Sequence, residues 1–251
     1  MDLQRASMWK RISAWLFDGI LMASLAVGLA FVLSMLLGYD GYSAQVDAAY
    51  EYYETQYGIK FDISQEEYLT LPEQTKQTYD AAYAALIADE AAMHAYNMVV
   101  NLSLLIVTIG ILLSIIGLEF VVPLFFGNGQ TLGKKVFGIG LMRTDGVRMN
   151  TVQLFVRTVL GKYTVETMIP VYIVIMLFWG TMDITGTIII GALLLAQAIL
   201  VGATRNRSAI HDLLAGTVAV DIASQRIFAS SEELLAYTKK IHAEQAARQT
   251  Y

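Results

Sequence analysis

The sequence predicts an all-α membrane protein: a four-helix transmembrane bundle carrying an extracytoplasmic helical hairpin and a small cytoplasmic β pairing. Three observations predict it. The 251 residues are 56% hydrophobic and 16% charged, with a mean hydropathy of +0.51, too apolar for an ordinary soluble domain. Apolar runs of spanning length occupy 12–37, 98–126, 167–182 and 184–203, each able to cross a hydrocarbon core of about 30 Å. Charge is segregated as well: residues 40–96 hold eleven Asp or Glu against Lys60 and Lys76, a net −9, while the remainder carries a net +4. With no cysteine in the chain, disulfides, thiolate metal sites and thiol nucleophiles are excluded.

The opening run, 12–37, begins beside Arg11 and carries one carboxylate, Asp18, inside its apolar layer. It is too long for a cleavable signal segment and reads as a retained span. An ionised side chain at that depth costs at least about 2.5 kcal/mol, so Asp18 calls for protein or water and a partner. Arg11, seven residues away and on the same helix face, is the nearest candidate. In the competing reading Arg11 only anchors the helix among lipid headgroups and Asp18 bonds a neighbouring helix.

Lys and Arg number three before the first span, six in 128–166 and six after 203, against two in 40–96. The positive-inside rule then puts both termini and the middle loop in the cytoplasm and the acidic segment outside. Within that segment Val46, Ala49, Tyr50, Tyr53 and Tyr57 follow one helical face, with Gly58 as a stop. Ser64 and Glu67 have capping-box spacing, and Pro72 suits the first turn of a further helix. That helix meets no breaker before the membrane. The segment is expected to fold as an antiparallel hairpin over 40–96 zipped by tyrosines. Its tyrosines are either the hairpin's own core or, with the carboxylates, a docking surface for a partner or a cationic ligand.

The second span carries Glu119 at nearly the depth of Asp18 in the oppositely running first helix. Neighbouring carboxylates there would share a proton or a cation. Next comes GNGQTLGKKVFGIGLMRTDG, residues 127–146. Its glycines and lysines fail the phosphate-loop spacing, because Asn128 and Lys135 stand where Gly and Ser or Thr are required. Residues 136–143 read as a strand, 144–146 as a turn, and Asn150 as the cap of a helix whose Arg157 and Lys162 lie off its apolar face. Such a helix suits the inner leaflet, where Arg157 meets anionic lipid or turns inward to an acid. After the fourth span Arg205, Arg207, His211 and Asp212 cluster at the inner mouth. Thr217 to Ile222 is β-favouring and is expected to pair with 136–143. Ser230 and Glu233 open a polar C-terminal helix.

Three patches carry a family resemblance: Arg11-x-x-Ala14-x-x-x-Asp18; Gly129-Gln130-Thr131-x-Gly133-Lys134 with Gly138-Ile139 following; and His211 to Thr217. Together they resemble the RDD family of bacterial multi-pass membrane proteins, over residues 1–38 and 97–223. The resemblance implies that Arg11, Asp18 and Asp212 are the name-giving arginine and aspartates. It implies the architecture more firmly than an activity, transport of small ions or solutes being among the suggested roles.

The expected organisation is therefore 1–39 N-terminus and first span, 40–96 outer hairpin, 97–127 second span, 128–166 cytoplasmic loop, 167–203 third and fourth spans, and 204–251 cytoplasmic strand and polar helix. Two functions compete. One is transport of a small cation or proton through a polar cluster of Arg11, Asp18, Glu119 and Asp212, flanked by a cytoplasmic motif of Gly129, Thr131, Gly133, Lys134, Arg157 and His211. The other is a non-transporting accessory or sensor protein whose acidic hairpin binds a partner. An enzyme is not expected, since three histidines and no serine with an evident His partner leave little chemistry. Neither a cofactor nor a metal is expected. The expected partners are the lipid bilayer, a second copy or another membrane protein, and a small cation, with no nucleic acid. The expected location is the bacterial cell membrane.

Overall fold

A computed structural model of the protein describes residues 4–127, 129–178, 180–181, 184–204 and 208–249. Asn128, Asp183, Arg205 and Arg207 lie outside the described residues. Two compact units form, Met1–Leu25 with Ile111–Tyr251 and, separately, Ala26–Gly110.

The chain opens with α1 (Met8–Leu36), followed by α2 (Tyr39–Tyr57), α3 (Gln65–Thr70) and α4 (Glu73–Ala88). Then α5 (Glu90–Ile115) runs through a π-helical segment, Ile116–Val121, into α6 (Val122–Phe126). After α7 (Leu132–Val136) and β1 (Ile139–Arg143), α8 (Thr151–Phe155) continues through a second π-helical segment, Val156–Met168, into α9 (Ile169–Phe178). The fourth long helix is α10 (Ile184–Ala203), followed by α11 (Ile210–Ala215), β2 (Thr217–Asp221) and α12 (Ser231–Gln249). Four helical runs are long and apolar enough to cross a membrane: Met8–Leu36, Glu90–Phe126, Thr151–Leu177 and Ile184–Ala203. Their large side chains face outward, with Ile20, Val27, Phe31, Ile188 and Leu194 all exposed. So much exposed apolar surface is unsuited to water and suited to lipid, as in an all-α membrane protein.

Three boundaries differ from the sequence expectation. The helix capped by Asn150 is not a separate interfacial element; it continues without a break into the third long run. The long outer helix is interrupted instead at Asp89, whose extended backbone ends α4 and whose carboxylate accepts the N–H groups of Ala91 (2.9 Å) and Ala92 (3.1 Å) to start α5. The strand begins at Ile139, because Thr131 caps α7 and draws Val136 into that helix.

In the first unit β1 and β2 pair antiparallel, Ile139 opposite Asp221 and Arg143 opposite Thr217. The N-terminal segment extends the sheet: Ala6 N–H donates to Ala219 (3.3 Å) and Asp221 N–H to Gln4 (3.1 Å). Ala6, Ala14, Ile139, Leu141 and Ala219 form one buried cluster, which seats the start of α1 on the sheet. In the second unit Gly58, at φ +64°, ends α2, and Ser64 and Glu67 form the anticipated capping box. Phe61 lies at the centre of the aromatic packing, edge-on to Tyr50 and Tyr79 at 5.4 and 5.6 Å. Gly110 lets α5 approach α1 closely; a Cβ there would lie 3.3 Å from the Ala26 carbonyl.

Candidate functional site

The first unit encloses a cavity of about 220 Å³ lined by polar and ionisable side chains from five elements. From α1 come Arg11 and Asp18; from α7, Lys134; from the second π-helical segment, Arg157, Lys162 and Glu166; from α10, Gln197; from α11, His211. The local sequence explains the convergence. The sheet holds α7 and α11 beside the start of α1. Gly161 lets α11 pack directly on the π-helical segment, where a Cβ would come within 2.6 Å of His211 Cβ.

Asp18 is buried and accepts the Thr131 hydroxyl and the Gly133 backbone N–H, the latter at 2.7 Å. It thereby satisfies an N–H that the first turn of α7 leaves without an intrahelical acceptor. The expected Arg11–Asp18 pairing is thus replaced: Arg11 pairs with Asp212 at 3.6 Å. Thr131 and Gly133 supply one donor to each carboxylate oxygen of Asp18, while Arg11 lies within ion-pair reach of the more deeply buried Asp212. The two residues still share the cavity wall.

Asp212 is 1% exposed and is the hub. It accepts Arg157 Nε at 3.0 Å, Thr217 Oγ1 at 3.3 Å and its own helix's Ala209 N–H at 3.4 Å, with His211 Nε2 3.6 Å away. Burial alone would raise its carboxyl, but the Arg157 guanidinium, with Arg11 beside it, holds it well below the usual carboxylate range. His211 in turn meets Glu166 twice, through its backbone N–H (3.0 Å) and its Nδ1 (2.8 Å). Because an ionised Glu166 only accepts, it selects the neutral tautomer with hydrogen on Nδ1 and leaves Nε2 facing Asp212. Burial, with Arg157 beside it, pushes the imidazole below its ordinary value. Lys134 is likewise lowered to about 8, first by burial of its ammonium and then by Arg157.

Glu119 and Lys162 pair directly, one from each π-helical segment, and the Glu119 backbone carbonyl accepts Thr158 Oγ1 at 3.1 Å. The second Glu119 oxygen, Oε2, has no hydrogen-bond partner. Glu119 therefore reaches the cavity only through Lys162. Of the six flanking motif residues, Thr131, Gly133, Lys134, Arg157 and His211 all converge on the site. Gly129 does not: it adopts φ +61° and serves packing, where a Cβ would meet Met149 and Leu141. Among the described residues no group of three His, Asp or Glu could hold a metal.

Sequence reasoning missed Glu166, Gln197 and the role of Lys162. Arg157 and Lys162 are five apart, roughly 140° around an α-helix. In this segment backbone and side-chain bonds repeat every five residues, as between Thr164 Oγ1 and the Val159 carbonyl (2.9 Å). That repeat brings both cations to one face.

Comparison with curated proteins and with solved structures yields no match for this chain. The family model described as RDD family matches residues 5–216, a stretch that includes the acidic segment, the first two motif patches and the third as far as Gly216. Through that match, over more than four fifths of its length, this integral membrane protein belongs to the RDD family.

Proposed function

We propose that the protein carries a small cation or proton across the membrane and that, of the two, its polar cavity is built for the proton. The observation that carries this reading is the continuous chain Glu166–His211–Asp212, with contacts of 2.8 and 3.6 Å, in which Glu166 and His211 line the cavity and Asp212 lies buried behind them. Ionisable side chains in such a position are expensive and usually mark an ion path. A proton is favoured over a metal cation because the carboxylates already have donors: Asp18 has Thr131 and Gly133, Asp212 has Arg157, Glu166 has His211 and Glu119 has Lys162. An incoming proton would load His211 at Nε2, facing Asp212, and leave toward Glu166 through Nδ1. Lys162 links this relay to Glu119 one level further along the π-helical pair.

The same reading makes the protein a non-enzyme of the bacterial cell membrane with both termini cytoplasmic, the fifteen-to-two distribution of Lys and Arg being its support. A second copy of the chain is the partner such a small bundle would use. The accessory or sensor alternative draws its support from the acidic, tyrosine-rich hairpin, which a proton relay does not require.

The test is dye-reported proton movement in proteoliposomes under an imposed pH gradient. Wild type should dissipate the gradient faster than empty vesicles, and His211→Gln and Glu166→Gln should each slow it at least tenfold while the protein remains folded. Dissipation equal to that of empty vesicles would leave the accessory reading in possession.

A further inference from the structure

The second unit holds a separate cavity of about 170 Å³, framed by Val46 and Tyr50 of α2, Tyr83 and Leu86 of α4, and Met93 and Tyr96 of α5. Its floor is aliphatic and its rim aromatic. Tyr50, Tyr83 and Tyr96 are 37%, 50% and 42% exposed, so their rings border the mouth rather than fill the interior. The interruption at Asp89 creates the space, since an unbroken helix would not splay α4 from α5 there.

Two features set the chemistry of a guest. The rim is held in place before any guest arrives: Phe61 packs edge-on against Tyr50 at 5.4 Å and Tyr83 at 6.4 Å, fixing two of the three rings. Burial and the nearby phenols of Tyr83 and Tyr96 push the Tyr50 phenol up, consistent with their convergence. Charge is the second feature. Residues 40–96 carry a net −9, and their two lysines are engaged elsewhere, Lys60 with Glu54 (2.6 Å) and Lys76 with the Leu69 carbonyl (2.8 Å). Neither lysine lines the cavity. An anion would find no counter-charge, whereas a cation would find three aromatic rings in an acidic field.

We propose that the Tyr50, Tyr83 and Tyr96 cavity binds a small organic cation with apolar substituents, of the quaternary ammonium class. The size agrees, since an apolar cavity of about 150 Å³ accommodates benzene. The site lies wholly within residues 26–110 and does not depend on proton transport.

The test uses the full chain in detergent, titrated calorimetrically with benzyltrimethylammonium, its neutral carbon isostere neopentylbenzene, and benzenesulfonate. The cation should bind saturably, the isostere at least about tenfold more weakly and the sulfonate not at all. Tyr83→Leu, which retains apolar area and removes the ring, should weaken the cation about tenfold, and Tyr83→Phe should not. Tyr50→Leu provides the same readout if Tyr83→Leu does not fold. Equal affinity for cation and isostere, or cation binding unchanged in both leucine variants, would overturn the proposal.

Discussion

The Gly133 backbone N–H donates to the Asp18 carboxylate at 2.7 Å, joining two residues 115 positions apart. The approach requires glycine. A Cβ at 133 would lie 2.9 Å from Asp18 Cγ and closer still to the Ala14 carbonyl, which is backbone and unable to yield. Gly133→Ala should therefore cost about 1 to 3 kcal/mol through overpacking, with further loss if the Asp18 bonds break. Gly138 sits at φ +67° with open space around it. Gly138→Ala should cost only the left-handed backbone penalty of about 1 to 2 kcal/mol. Thermal unfolding in detergent distinguishes them, and a Gly133→Ala protein no less stable than Gly138→Ala would contradict the steric account.

Asp212 is worth more than the exposed ion pairs. Removing it leaves Arg157, itself 4% exposed, as an uncompensated buried cation. Asp212→Ala should cost about 3 to 5 kcal/mol. Lys10 also pairs with an aspartate, Asp221 at 2.7 Å, but its side chain is 41% exposed. Lys10→Ala should then change stability by less than about 1 kcal/mol. Comparable losses from the two substitutions, measured by denaturation of the purified protein, would show that burial does not govern these pairs.

How much of this was legible in the sequence depends on the range of the signal. Local signals carried: Gly58 ends α2, Ser64 and Asn150 cap their helices, and Ile139–Arg143 pairs with Thr217–Asp221 within the anticipated segments. Arg11, Asp18 and Asp212 were legible as a group through the family motif, and they do line or adjoin one cavity. Their pairing was not legible. Arg11 and Asp18 share a helix face, but the donors to Asp18 are a hydroxyl and a backbone N–H from 113 and 115 residues away, and a backbone N–H leaves no mark in composition. Glu166 and Lys162 escaped for a different reason: reading Thr151 onward with the α-period scattered residues that the five-residue repeat of the π-helical segment aligns.

Lys134 gives the fold a pH dependence on the alkaline side. Its ammonium is lowered from 10.5 to about 8, so between those values the unfolded chain holds a proton that the folded protein lacks. Stability should rise with pH across about 8 to 10.5 and be lost as pH falls through the folded value. Asp212 contributes no slope there, because its depressed carboxyl is ionised in both states above the ordinary carboxylate range. Lys134→Met should reduce the slope of the unfolding temperature against pH between 8 and 10, and a slope unchanged in that variant would assign the effect to other groups.

Orientation in the membrane can be read with single cysteines, because the natural chain has none. Glu66 in the acidic segment and Ser224 after β2 are both exposed. Ser208 would be a poor reporter, being 2% exposed. Counting Lys and Arg places residues 40–96 outside and the two ends inside. In intact cells an impermeant maleimide should label Glu66→Cys and leave Ser224→Cys untouched until the membrane is permeabilised. The result bears on mechanism as well as topology. Asp18 lies about ten residues into α1 and Asp212 follows the end of α10, so the cavity belongs at whichever face holds the termini. A proton relay there would exchange with the cytoplasm, and His211 would respond to internal pH. Labelling of Ser224→Cys, and not Glu66→Cys, in intact cells would invert the protein and make that relay answer to external pH instead.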